Sequence, residues 1–135
     1  MKGSGHMAES VLVIDDEKSI REVLEIALED RFQVYLASSG SQGLEMAREL
    51  KPDLILLDRM MPEKDGIATL KELRLDDSTK GLPVIFLTAR VQTQDMSEYD
   101  GLDVLGVLSK PFDPMSLSDE IDSMLQRASD EKSQG

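Results

Sequence analysis

Five short apolar runs, each followed by an amphipathic stretch, constrain this chain more than any other feature. The runs are 10–14 (SVLVI), 33–37 (QVYLA), 54–57 (LILL), 83–87 (PVIFL) and 104–108 (VLGVL). Their apolarity is largely continuous rather than alternating, which suits parallel strands covered on both faces. Between them, Ile20, Val23, Leu24, Ala27 and Leu28 share a helical stripe, as do Leu44, Ala47 and Leu50. Ile67, Leu70 and Leu73 repeat the pattern, and Leu117, Ile121, Met124, Leu125 and Ala128 close it. The stretch 92–100 (QTQDMSEYD) is weakly apolar and predicts a short, loosely held helix, the most mobile element. Five β-α units in sequence imply one parallel sheet with right-handed crossovers and helices on both faces.

In such a sheet the ligand site lies beyond the carboxyl ends of the strands. The first run is followed by Asp15, Asp16 and Glu17, the third by Asp58, the fourth by Thr88 and Ala89, and the fifth by Ser109, Lys110 and Pro111. The second ends in Ser38-Ser39-Gly40, with no charge. Three aspartates brought to one edge repel: at ~5 Å and an effective dielectric near 20, each pair costs about 3 kcal/mol. A cation relieves that cost. The chain has no cysteine, and its one histidine, His6, lies in the opening MKGSGHM, which reads as an expression scar before a native start at Met7. The remaining ligands are oxygens, so the cation expected is hard, Mg2+ or Mn2+. Lys110 supplies a point charge suited to phosphoryl oxygens, Thr88 a hydroxyl donor, and Ala89 leaves room. A carboxylate in that company is suited to accept a phosphoryl group, which would give an acyl phosphate.

Composition narrows the partners. A formal net charge of −12 repels phosphate backbones and anionic lipid, so direct nucleic-acid or membrane binding is not expected. No apolar stretch reaches the roughly 18 residues that span a bilayer, and the lack of cysteine fits a reducing, cytoplasmic setting. At 135 residues one domain is expected, over 8–128, with 129–135 a frayed, flexible polar tail.

Taken together, VIDDE, LILLDRMMPEKDG, FLTAR and LSKPFDP resemble the receiver domain of two-component response regulators, over residues 9 to 128. The resemblance implies a flavodoxin-like (βα)5 fold of the chemotaxis-regulator kind, with strand order 2-1-3-4-5. It implies that Asp58 takes a phosphoryl group from the phosphohistidine of a sensor histidine kinase or histidine phosphotransfer protein. Asp16 would bind Mg2+ directly, Asp15 would help through the metal or its water, and the Met60 carbonyl would add a ligand. Lys110 would contact the phosphoryl group and Thr88 would swing in to bind it, switching the face made by the fourth helix, fifth strand and last helix. Pro62 and Gly66 would shape the loop beyond Asp58, and the Lys110–Pro111 bond would be cis. Where the family often carries an aromatic switch residue, this chain has Val107. The output would be a downstream protein or a fused domain, the chain a monomer or a phosphorylation-dependent dimer, and no separate substrate would be turned over.

Plainer readings exist for each residue. Asp15 and Asp16 are good helix caps with Glu17 in the first turn, and Lys110 is a natural ion-pair partner for nearby acids. Thr88 is common at strand ends, Arg59 and Arg90 default to the surface, and Pro62, Asp65 and Gly66 suit a turn. The eight methionines read as core filler and the initiator. A Mg2+-dependent phosphohydrolase of the haloacid dehalogenase kind would place a second aspartate where Met60 stands, and a phosphate-independent interaction module would not need the full set of acids, Thr88 and Lys110.

Overall fold

The computed structural model describes residues 9–89 and 103–134. The strands are β1 (Glu9–Ile14), β2 (Phe32–Ala37), β3 (Leu54–Asp58), β4 (Val84–Thr88) and β5 (Gly106–Ser109). The described helices are α1 (Lys18–Leu28), α2 (Gly40–Leu50), α3 (Gly66–Leu75) and α4 (Leu117–Gln134). All strands are parallel, in the order β2-β1-β3-β4-β5, as the resemblance implies.

The pleat sorts the apolar runs onto two faces. Leu12, Ile14, Ile55, Leu57, Val84 and Phe86 meet Leu44 and Ala47 of α2 and Leu70 and Leu73 of α3. Their alternates Val11, Val13, Leu54, Leu56, Ile85, Leu87 and Leu108 meet Leu24 and Leu28 of α1 and Leu117 and Ile121 of α4. Continuous apolarity is therefore two cores, one on each side. Every residue of β3 is buried, since β3 is the middle strand.

Three local features position the sheet. Gly43 lies so close to Ile14 that any Cβ would strike it, which seats α2 directly on β1. Arg74 of α3 donates to the carbonyls of Lys80 (2.9 Å), Leu82 (2.8 Å) and Asp103 (2.5 Å), bracing the chain ahead of β4 and β5. Arg31 pairs with Asp119 (3.1 Å) and Asp122, tying the turn after α1 to α4.

Two boundaries depart from expectation. The fifth strand starts at Gly106 rather than 104; Val104 and Leu105 lead into it, with the Leu105 N–H on the Val84 carbonyl (2.8 Å). The last helix runs past 128, from Leu117 to Gln134. The expected helix at 92–100, and Arg90, lie outside the described residues.

Candidate functional site

Strand order reverses between β1 and β3, and the crevice beyond that point is where doubly wound sheets hold their ligands. Asp58 ends β3 there, 3% exposed. Its successor continues the ladder, with the Arg59 N–H on the Leu87 carbonyl (2.8 Å). Asp15 lies just past β1, fully buried, its N–H on the Ala37 carbonyl (3.1 Å). The Glu17 N–H donates to Asp15 Oδ1 (2.9 Å), and Arg21 Nη1 donates to the Asp15 carbonyl (2.8 Å). Lys110 follows β5, its N–H on the Thr88 carbonyl (2.8 Å).

The Lys110 ammonium joins these ends. Nζ lies 3.0 Å from Asp15 Oδ2, 3.3 Å from Asp58 Oδ1 and 3.7 Å from Glu17 Oε1. The Met60 N–H also donates to Asp58 Oδ1, at 3.3 Å. Burial and the neighbouring Asp15 charge push the Asp58 carboxyl up to about 6, against the pull of Lys110 and the Met60 N–H. Burial disfavours the Lys110 charge, yet Asp15 and Asp58 outweigh it and leave its pKa above the ordinary lysine value. One cation thus serves three carboxylates.

A divalent cation fits this set. Asp15, Asp16 and Asp58 each offer a carboxylate oxygen, all within 4.8 Å of one another. Among the described residues the partner of the buried Asp15 Oδ2 is the Lys110 ammonium, 3.0 Å away. An oxygen-only donor set of three clustered carboxylates suits a hard ion such as Mg2+.

Asp15, Asp58 and Lys110 meet, Asp16 joins them from an exposed position, and Thr88 ends β4 beside them, buried, its carbonyl accepting the Lys110 N–H. The helix-capping alternative for Asp15-Asp16 does not hold at α1, whose N-cap is Glu17, without a side-chain cap. Asp65 does cap α3, accepting the Ala68 N–H (2.9 Å) through Oδ1, with Oδ2 3.7 Å from Arg59 Nη1. Gly66 shapes the loop by contact: a Cβ there would collide with the Asp58 carbonyl oxygen. Pro62 is exposed on the same loop, and Lys110–Pro111 is cis. Val107 is partly buried and packs against the core cluster that includes Phe86. A cavity of about 350 Å³ opens beside it, lined in part by Leu108, Phe112 and Met124. The methionines divide: Met61 is buried, whereas Met60 and Met115 are 68% and 89% exposed. Sequence reasoning gave no role to Arg21 and no contact with Lys110 to Glu17. The spacing of Arg21 from the acids was the one available signal.

Fold and site together define a flavodoxin-like domain of the chemotaxis-regulator type, with its acidic pocket at the strand-order reversal. The family model for the response regulator receiver domain matches residues 11–122, and the chain belongs to that family. It is 38% identical over 133 residues to the DNA-binding response regulator MtrA of Mycolicibacterium smegmatis, covering 93% of this chain and 54% of the relative. It is also 38% identical over 120 residues to the response regulator Rre1 of Synechocystis, covering 87% and 52%. The chain thus spans about half the length of the curated relatives it matches. Among solved structures, the chemotaxis response regulator CheY4 of Vibrio cholerae matches with a TM-score of 0.80 at 30% identity, covering 87% of this chain and 98% of that one. Among the described residues no helix is long and apolar enough to cross a membrane.

Proposed function

We propose that Asp58 accepts a phosphoryl group from the phosphohistidine of a sensor histidine kinase or histidine phosphotransfer protein. The observation that carries this reading is a buried carboxylate at the end of the central strand, joined by Lys110 to a second buried carboxylate. The P–N bond of the donor breaks as a P–O bond forms to the Asp58 carboxylate. The electron pair returns to the donor imidazole, which then takes its proton from solvent. Asp15, Asp16, Asp58 and the Met60 carbonyl would hold Mg2+, with Mn2+ as a substitute, and the bound ion supplies positive charge against the carboxylates and phosphoryl oxygens. Lys110 and the Thr88 hydroxyl bind the phosphoryl oxygens. The domain turns over no separate substrate.

Phosphorylation adds charge beside Thr88, and the inward movement of its hydroxyl biases the face that includes β5 and α4. Val107, aliphatic and partly buried, leaves that transition to Thr88 and the backbone rather than to an aromatic rotamer. The face acts on a downstream protein or an output domain in the cytoplasm, as a monomer or a phosphorylation-dependent dimer. MtrA is described as DNA-binding. We assign any such contact to a further domain, because this chain's charge of −12 opposes it.

Acetyl phosphate with Mg2+ should add one phosphoryl mass to the intact protein, and Asp58→Asn should abolish the addition. Labelling that survives Asp58→Asn would overturn the assignment.

A further inference from the structure

We infer that Arg21 is a positioning residue for the cation pocket: by gripping the Asp15 carbonyl it aims the Asp15 Oδ2 oxygen into the site. The inference deepens the proposed function and rests on its metal-site reading. The N–H of Asp15 is held by Ala37, Oδ1 by the Glu17 N–H, and the carbonyl by Arg21 Nη1 at 2.8 Å. Among the described residues the remaining oxygen, Oδ2, meets the Lys110 ammonium at 3.0 Å. The carbonyl lies past the end of the β1 ladder, which closes at Ile14 and Ala37, so the guanidinium stands in for the missing strand partner.

Arg21 is suited to that task by its place in α1. It follows the N-cap Glu17 by one turn, and its own N–H closes the first helical bond on the Glu17 carbonyl (3.1 Å). The side chain therefore reaches back to the loop from a helix that Leu24 and Leu28 fix on the sheet. Loop and helix move as one body, and the direction of Oδ2 is set before any ion arrives. Groups that orient metal ligands without touching the metal commonly carry about tenfold or more of its affinity.

Charge and position make opposite predictions. As a cation near an acidic pocket, Arg21 should weaken Mg2+ binding by repulsion, and removing it should tighten binding. As a brace, its removal should loosen binding. The test is Mn2+ binding to the full chain by electron paramagnetic resonance of the free ion, for wild type, Arg21→Met, Arg21→Lys and Lys18→Met. Lys18 is an exposed cation on the same helix and serves as the charge control.

We expect Arg21→Met to weaken Mn2+ about tenfold and Lys18→Met to leave binding unchanged or slightly tighter. Arg21→Lys, which keeps the charge but lacks the planar fork, should fall between wild type and Met. Thermal unfolding of the metal-free variants accompanies the titrations, so a misfolded variant is recognised, and Arg21→Lys then carries the comparison. Unchanged or tighter binding in a folded Arg21→Met, or in a folded Arg21→Lys where that variant decides, would overturn the inference while leaving the cation site standing. A wild type that binds no Mn2+ at millimolar levels would overturn both.

Discussion

Asp58 has a carboxyl raised from 3.8 to about 6. Between those values the native chain holds a proton that the unfolded chain has released. Stability therefore falls as pH rises through that window, and the full cost persists above it. Two units correspond to about 3 kcal/mol. Without divalent ions, Asp58→Asn should gain about 2–3 kcal/mol in urea unfolding at neutral pH, and the gain should shrink toward zero near pH 4. A gain that did not change with pH would show that packing, not ionisation, is responsible. Lys110→Met should act in the other direction, leaving Asp15 and Asp58 buried without their cation, at about 3 kcal/mol. Its thermal midpoint should then respond to Mg2+ more than wild type does. At this scale the sequence was most legible where a charge interrupts an apolar run, as at Asp58, Asp15 and Lys110. What it could not show was rank. Asp15, not Asp16, is the buried acid and the nearest partner of Lys110, because which of two adjacent aspartates turns inward depends on the Glu17 and Arg21 contacts.

The loop from β3 to α3 carries the element-scale consequences. Gly66 packs on the Asp58 carbonyl and its N–H bonds the Arg59 carbonyl at 3.0 Å. Gly66→Ala should push α3 away from β3, costing about 2 kcal/mol by overpacking and slowing acetyl phosphate labelling. Asp65→Ala removes the cap of α3, about 1 kcal/mol, together with the long, half-exposed pairing to Arg59, and should leave labelling near wild type; equal losses of labelling would show that the loop, not the glycine contact, governs the site. Strands were readable because each apolar run is long enough to fill both cores. The start of β5 was not, since Val104 and Leu105 are as apolar as the strand itself and only pairing with Ile85 and Phe86 fixes the register. Continuation of α4 past 128 escaped a reading based on hydrophobic stripes, because helical backbone needs no apolar face in its last turns.

Over the whole molecule, a bound divalent ion should stabilise the fold by mass action, by about 2.7 kcal/mol at a hundredfold excess over its dissociation constant. Millimolar Mg2+ that left the unfolding temperature unmoved would count against the site. Overall topology was legible from the alternation of runs and stripes. Which apolar residues and helices share each face was not, because it follows from pleat parity across strands distant in sequence. Parity also bears on the pocket: Asp15 continues the alternation of Val11 and Val13, Asp58 that of Leu54 and Leu56, and Lys110 that of Leu108, all on the α1 and α4 side. Its parts are widely spaced along the chain, at residues 15, 58 and 110. During synthesis Asp58 emerges long before the lysine that completes its surroundings. A ribosome-bound chain that has not yet released Lys110 should therefore lack the proposed phosphoryl-accepting site, so that labelling by acetyl phosphate becomes a certificate of finished folding.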